Sequence, residues 1–365
     1  MIQIHFDRLR GLGLTPALAQ EAAAHAVPAS TDDNDLHLMR LVEVHRETVV
    51  LHDGAAMRDA RVLPRLMRNL LDDETAVAVG DWVLAAADAH GQLWVHERVP
   101  PHAHLARRDA DGHRHPVVSN VDTALLVMGL DDDFNPRRLE RYLALVGASG
   151  VHAVVVLTKA DVAAQTPGLL NARHEALQGR LPDRIDRYAV DGTDPATAAM
   201  LAPYLGAGQT LVVLGSSGAG KSTLTNTLLG AAVQDTGAVR VHDSRGKHTT
   251  TARSLHLLPG GACIIDTPGL RALKPDLDEA RLAASFDDVE ALAAECRFRD
   301  CTHHDEPGCA VRAGIDPDRL RNYHKLLREA RRDTLSLAER RQQIAMWKAR
   351  GRESRVRIKM KRGEA

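Results

Sequence analysis

Two short segments, and the order in which they occur, constrain this chain more than anything else in it. Gly215-Ser216-Ser217-Gly218-Ala219-Gly220-Lys221-Ser222 completes the GxxxxGK[ST] spacing of a phosphate-cradling loop. Thr158-Lys159-Ala160-Asp161, which reads as a guanine-selecting loop, lies upstream of it. Most guanine-nucleotide folds place the phosphate loop first. A chain that keeps both segments therefore has to build an α/β sheet whose linear order has been rearranged.

Each segment sits in a suitable local context. The apolar run from Leu211 to Leu214 predicts a buried strand, and Ser222 to Leu229 predicts a helix, so the glycines fall at a strand-to-helix turn. Gly215, Gly218 and Gly220 let backbone N–H groups close around phosphates, at the positive end of the following helix. Lys221 is expected to reach the β- and γ-phosphates and Ser222 to ligate Mg²⁺. Ser216, Ser217, Ala219 and Thr223 complete the run expected to contact nucleotide. Upstream, the apolar strand Ala153 to Leu157 delivers Thr158 to Asp161. A carboxylate at Asp161 accepts from N1–H and the exocyclic amine of guanine as a pair, whereas adenine leaves it unpaired. Lys159 lays its stem along the base, next to Ala160. The motif ordinarily begins with Asn, and Thr158 offers one hydroxyl in place of an amide.

Downstream, Cys263-Ile264-Ile265-Asp266-Thr267-Pro268-Gly269 is an apolar strand ending in DTPG. Asp266 is expected on the metal side of the site, and the Gly269 N–H is expected to sense the γ-phosphate. Between the two lies Gly246-Lys247-His248-Thr249-Thr250-Thr251, placed where a switch loop supplies a threonine to Mg²⁺. Thr250 is favoured, with its two neighbours as alternatives. Leu270 stands where many GTP hydrolases carry a water-orienting Gln. His248 is the in-chain candidate for that catalytic task.

Charge and cysteine usage bound the remainder. Lys and Arg number 47 against 48 Asp and Glu, so nothing global marks a nucleic-acid binder. The tail differs. Arg340, Arg341, Lys348, Arg350, Arg352, Arg355, Arg357, Lys359, Lys361 and Arg362 face only Glu353 and Glu364, a composition suited to phosphate backbones. No stretch approaches the roughly 20 apolar residues of a membrane span, and Met1 to Arg10 has no apolar leader, so a cytoplasmic protein with no membrane partner is expected. Three of the four cysteines, Cys296, Cys301 and Cys309, crowd together with His303 and His304. Three thiolates and one imidazole make a closed tetrahedral Zn²⁺ set, a structural site. Spacing alone admits either histidine.

The pattern along the chain predicts three parts. A short helical lead-in is followed, from Leu38 to about Val99, by short strands at barrel spacing. The His-rich run from His102 to His115 reads as a loop or linker. From Val121 the pattern alternates between strand and helix, with Ala124 to Met128 as a buried strand and Pro136 to Val146 as a helix. After Pro275 it turns helical, passes through the cysteines and ends in the basic tail. The expected divisions are 1–117, 118–275 and 276–365.

Taken together, these residues resemble the family of ribosome small subunit-dependent GTPases A, which are circularly permuted. The likeness runs through Val79-Gly80-Asp81, Ser119-Asn120-Val121-Asp122, the Thr158 to Asp161 loop, the phosphate loop, the Gly246 to Thr251 segment and DTPG. It continues through Cys301-Thr302-His303, Glu306-Pro307-Gly308-Cys309 and Arg321-Asn322-Tyr323. The resemblance implies a multidomain chain: an N-terminal OB-fold β-barrel that binds RNA, a central α/β circularly permuted P-loop GTPase domain, and a C-terminal α-helical zinc-binding domain. It selects His303 over His304. It implies hydrolysis of GTP to GDP stimulated by the small (30S) ribosomal subunit, binding to its 16S rRNA, and a role late in that subunit's maturation, by a chain acting as a monomer. The base-contacting loop around Tyr188 to Thr193 cannot be matched residue by residue. Two other readings compete: a regulatory ATPase with a zinc module, opposed by Asp161, and a nucleotide-dependent RNA-binding scaffold, opposed by the intact Lys221, Ser222 and Asp266.

Overall fold

The computed structural model describes residues 2–25, 35–108, 114–230, 253–267 and 279–333. They form two compact units, 2–107 with 114–267, and 279–333.

A two-residue strand β1 (Ile2–Gln3) opens the first unit and pairs with β2 (Leu36–Val44). With β3 (Val49–His52), β4 (Met57–Val62), β5 (Trp82–Ala87) and β6 (Leu93–Arg98), β2 closes a five-stranded barrel. The pairing order is β2-β3-β4-β6-β5, and β5 returns to β2, so the barrel has no open edge. Leu41, Leu51, Trp82, Leu84 and Val95 are buried. One helix was not legible in the barrel sequence. Pro64–Asp72 lies between β4 and β5, which are not neighbours, so the chain has to cross the barrel there. The helix makes that crossing with Leu66 buried and Met67 and Leu71 exposed.

The His-rich run expected to be a loop is instead part of a two-stranded ribbon, β7 (His104–Arg108) with β8 (Arg114–Ser119). Leu105, Ala106, Val117 and Val118 are buried. These small apolar pairs stabilise strands that a histidine count obscures.

The second sheet holds β9 (Thr123–Gly129), β10 (His152–Thr158), β11 (Asp186–Ala189), β12 (Thr210–Gly215), β13 (Ser254–Leu257) and β14 (Cys263–Asp266). Its order is β11-β10-β9-β12-β14-β13, parallel except for β13. β9, β10 and β12 are buried on both faces apart from His152, which explains their unbroken apolar runs. The central strand β12 pairs on one side with β9, which precedes it in the chain with β10 and β11 in between. On the other side it pairs with β14, which follows it. The rearranged order is thus visible in the sheet itself.

Sheet and barrel are continuous, since Ser254 of β13 pairs with Glu43 of β2. Beside that pairing, the Arg40 guanidinium is 1% exposed and donates to the Leu12 carbonyl, to Thr210 Oγ1 at 2.9 Å and to the Asn120 carbonyl at 2.9 Å, while lying over the Trp82 ring. Asp122 accepts from the Thr210 N–H at 2.7 Å. The Val79-Gly80-Asp81 and Ser119-Asn120 segments meet here as well. Gly80 has φ 95° and no room for a Cβ against the Ser119 carbonyl, and Asn120 Nδ2 donates to the Gly80 carbonyl at 3.0 Å. Asp81 forms a buried ion pair with Arg98 at 2.9 Å.

The second unit is helical: Glu279–Ala283, Asp287–Ala293, Ala310–Gly314 and Pro317–Asp333. Phe286, Val289, Val311 and Leu326 are buried, and Arg319 grips the Asp288 carboxylate with two hydrogen bonds of 2.7 and 2.8 Å. Among the described residues, no helix is long and apolar enough to cross a membrane.

Candidate nucleotide and metal sites

β12 ends at Gly215, where a Cβ would strike the Val127 carbonyl of β9, so only glycine lets the strand turn out of the sheet. Gly218 and Gly220 take φ of 86° and 87°. The helix Lys221–Leu229 then starts at Gly220. The Lys221 side chain is buried, and its ammonium donates to the Ser216 carbonyl at 2.6 Å, which folds it across the loop it is to serve. Ser222 and Thr223 lie in the first turn of this helix, where N–H groups point into the loop.

The upstream loop meets the phosphate loop directly. Thr158 Oγ1 donates to the Ala219 carbonyl at 2.6 Å, and the Lys159 ammonium donates to the Gly218 carbonyl at 2.7 Å. This accounts for threonine where Asn is usual. The single hydroxyl makes a buried bond to the phosphate-loop backbone. Lys159 has φ 61°, the left-handed turn from which the short helix Ala160–Ala164 begins, and Asp161 is exposed in that helix's first turn. The segment after β11, which the sequence left unplaced, lies alongside. The Ala160 N–H donates to the Val190 carbonyl at 3.1 Å, and Thr227 Oγ1 donates to the Gly192 carbonyl at 2.6 Å. Val190 to Gly192 therefore bridges the base loop and the phosphate-loop helix.

β14 brings Asp266 to the other side of β12. It is 4% exposed, and its Oδ1 is buried without a hydrogen-bond partner. Burial pushes this carboxyl up, against the pull of Lys221. A buried anionic oxygen with an open lone pair, on the strand next to the phosphate loop, suits a hard divalent cation such as Mg²⁺. Thr267 Oγ1 donates to the Val213 carbonyl at 2.6 Å and fixes the end of the strand. His248, Thr250 and Gly269, with Pro268, Leu270 and the basic tail, lie outside the described residues.

In the second unit, the ligand atoms of Cys296, Cys301, His303 and Cys309 lie within 4.8 Å of one another. The cluster contains His303; His304 instead stacks on His324 with ring centroids 4.0 Å apart. His303 has φ 62°, a turn that brings its Nδ1 to 3.6 Å from Cys296 Sγ and 3.5 Å from Cys309 Sγ. N–H groups of Val311 and Ala310 pull the Cys296 thiol down, and the Arg312 N–H donates to Cys309 Sγ at 3.4 Å. Desolvation, joined by the Cys309 and Cys296 sulfurs, pushes Cys301 up to about 11. Soft donors gathered this closely, with N–H groups aimed at sulfur, fit a tetrahedral metal ion. Glu306 holds the loop, accepting from the Thr302 N–H at 2.9 Å, the Thr302 hydroxyl at 2.5 Å and the His304 N–H at 2.8 Å. These bonds draw its carboxyl down to about 2.

Sequence reasoning named Glu306 only within the family likeness, with no role, left the Tyr188 to Thr193 loop unplaced, and missed two aspartates, Asp131 and Asp133, after β9. The aspartates had a signal: they stand at the carboxyl end of a buried parallel strand, where α/β sheets bind ligands.

Comparison with known proteins agrees with this geometry. Residues 98–276 match the family model for the RsgA GTPase. The chain is 48% identical over 309 residues to the small ribosomal subunit biogenesis GTPase RsgA of Xanthomonas oryzae pv. oryzae (strain MAFF 311018), covering 82% of this chain and 83% of that protein. It is 48% identical, with the same coverage, to the protein of that name from Xanthomonas campestris pv. campestris (strain B100). Among solved structures, it resembles YjeQ from Thermotoga maritima, with a TM-score of 0.57, 21% identity, and 80% of this chain and 98% of that one covered. It also resembles YloQ, described as a circularly permuted GTPase, with a TM-score of 0.55, 20% identity, and 85% and 100% covered.

Proposed function

The chain belongs to the RsgA GTPase family, and on that premise we propose that it hydrolyses GTP to GDP and phosphate under stimulation by the small ribosomal subunit, late in that subunit's maturation. The observation that carries the reading is the pair of bonds from Thr158 and Lys159 to the Ala219 and Gly218 carbonyls. These bonds support reading a base-selecting loop and a phosphate loop that occur in reversed order as parts of one site.

In this reading Asp161, with Ala160 beside it, selects guanine, and the Lys159 stem lies along the base. Gly215, Ser216, Ser217, Gly218, Ala219 and Gly220 wrap the phosphates, with Ser222 and Thr223 at the helix start. Lys221 leaves its bond to Ser216 and turns to the β- and γ-phosphates, where its charge offsets that developing in transfer. Ser222, Asp266 and Thr250 would hold Mg²⁺, which would supply positive charge to offset that of the phosphates. The Gly269 N–H reports the γ-phosphate. His248 orients the attacking water; normal subunit-stimulated turnover in His248→Ala would refute that role.

We assign the cysteine cluster to one structural zinc ion held by Cys296, Cys301, His303 and Cys309. The division into 1–117, 118–275 and 276–365 then separates an RNA-binding barrel, a nucleotide domain, and a zinc domain with its basic tail. A barrel platform and the tail charges suit 16S rRNA. The chain acts in the cytoplasm, as a monomer on the subunit.

The test is GTP turnover with purified small subunits, large subunits or neither. Stimulation by small subunits alone is the expected result; equal rates in all three refute the assignment.

A further inference from the structure

The loop Leu130 to Asn135 at the carboxyl end of β9 touches both halves of the nucleotide site, yet belongs to neither motif. Asp131 Oδ2 accepts from the Lys159 ammonium at 2.7 Å, the same ammonium that donates to the Gly218 carbonyl. Asp133 Oδ1 accepts from Ser216 Oγ at 2.6 Å. The two aspartates are themselves interlocked. The Asp133 N–H donates to Asp131 Oδ1 at 3.2 Å, and Asp133 Oδ2 accepts from the Gly129 N–H at 3.1 Å. Arg138 pairs with Asp133 Oδ1 at 2.6 Å, from a helix that Asn135 caps through the Arg138 N–H at 3.1 Å.

Carboxylates beside a phosphate loop would repel the ligand if their charge were free. Here each one faces a cation: Asp131 faces Lys159 and Asp133 faces Arg138. Against partial burial, Lys159 holds the Asp131 carboxyl below its usual range. The metal-side carboxylate, Asp266, is on β14, across β12 from this loop. A second cation seat is therefore not what the loop provides. What it does provide is position. A free lysine head samples many rotamers, and ordering them on binding opposes affinity. With two of its three donors engaged, Lys159 is fixed before nucleotide arrives.

We propose that Asp131 is a positioning residue for guanine-nucleotide binding. It holds the Lys159 ammonium against the phosphate-loop backbone, so that the lysine stem is already laid out for the base, while Asp133 steadies Ser216 in the same rigid loop. This rests on the reading of Thr158 to Asp161 as the base loop, and the experiment separates the two.

Fluorescent N-methylanthraniloyl-GDP is titrated into the full chain and into the D131N, D131E and D161N variants, with GTP turnover and thermal unfolding measured alongside. D131N keeps the shape and removes the charge. It is expected to weaken GDP binding about tenfold, the scale of one charge-assisted hydrogen bond. KM for GTP rises with it, while kcat and the unfolding temperature stay unchanged, and D131E recovers part of the affinity. If D161N weakens binding but D131N binds like the unaltered chain, the positioning role is overturned and the base-loop reading stands. A fall in kcat and unfolding temperature together with affinity in D131N also overturns it, by making the residue general structural support. If the unaltered chain binds no labelled GDP, or D161N binds as tightly as it does, the base-loop reading falls and the proposal with it.

Discussion

Replacing Thr158 by valine tests the joint between the two halves of the nucleotide site. The substitution keeps the branched shape and removes one hydroxyl. Thr158 is 1% exposed, and its hydroxyl donates to the Ala219 carbonyl at 2.6 Å; Ala219 is fully buried. Valine leaves that carbonyl without this donor in a dry place, at a cost of about 1–3 kcal/mol. For a unit of this size, about 2 kcal/mol lowers the unfolding temperature by about 4 °C. The same bond holds the phosphate loop in its binding geometry, so GDP affinity falls as well, by up to about thirtyfold if the full loss is felt on binding. Thr158→Ser keeps the hydroxyl and is the control, with a smaller change in both quantities. The assay is thermal unfolding of the full chain with and without GDP, together with GDP titration. If Thr158→Val unfolds at the same temperature as the unaltered chain and binds GDP equally, the joint contributes nothing and the reasoning fails.

Other substitutions probe the remaining parts. Asp161→Asn replaces an acceptor with a group that faces the guanine donors with its own, and should cost GTP binding about 3 kcal/mol, roughly a hundredfold; labelled GTP competed with ATP shows whether guanine preference disappears with it. Glu306→Ala releases the Thr302 and His304 N–H groups, so zinc should pass to a chromogenic chelator faster than from the unaltered chain. Asp53, which accepts from the Ala55 and Ala56 N–H groups and from Arg58, has its carboxyl drawn down to about 2 despite its burial. Its folded value lies below the unfolded one, so its contribution is complete above pH about 4 and is lost as pH falls through about 2. Asp53→Asn should flatten the acid limb of the unfolding-temperature profile in that window, and an unchanged limb would show that the β3–β4 turn is not an acid-sensitive element.

How much of this was legible in the sequence depends on whether a signal was local. β9, β10 and β12 announce themselves because both of their faces are buried, so their middles are unbroken apolar runs. The phosphate loop was legible because its glycines answer to steric demands that only glycine meets, as at Gly215 against Val127. The barrel strands were legible, but the helix Pro64–Asp72 was not. Its leucines do have helical spacing, with Leu66 buried and Leu63 and Leu70 packed against the core, but the helix is short and sits among strand signals, and it is needed because β4 and β5 are not adjacent. The ribbon of β7 and β8 was hidden by histidines just before its apolar residues, His104 before Leu105 and His115 before Val117. Asp131 and Asp133 were missed for a different reason. A carboxylate that organises a loop is recognised by what it touches, and the residues it touches are remote in sequence, as Asp133 and Ser216 are.

The sheet also shows why the reversed order is tolerated. Neighbour relations, not chain order, hold the nucleotide site together. β12 is buried between β9 and β14, and its ladders on both sides form whichever strand comes first in the chain. What rearrangement changes is which ends are tied. Here the start of β12 is bound to the barrel through Thr210, Arg40 and Asp122, while its far end is bound to the base loop through Ala219 and Gly218. One rigid strand thus runs from the barrel joint to the phosphate loop. The edge strand β13, on the far side of β14, reaches the barrel separately, at the single pairing of Ser254 with Glu43. That pairing lies directly after the segment carrying His248 and Thr250 in the chain, so a change in that segment has a short covalent path to the barrel wall. β12 is thus paired along its length on both sides, whereas β13 meets the barrel at one residue pair.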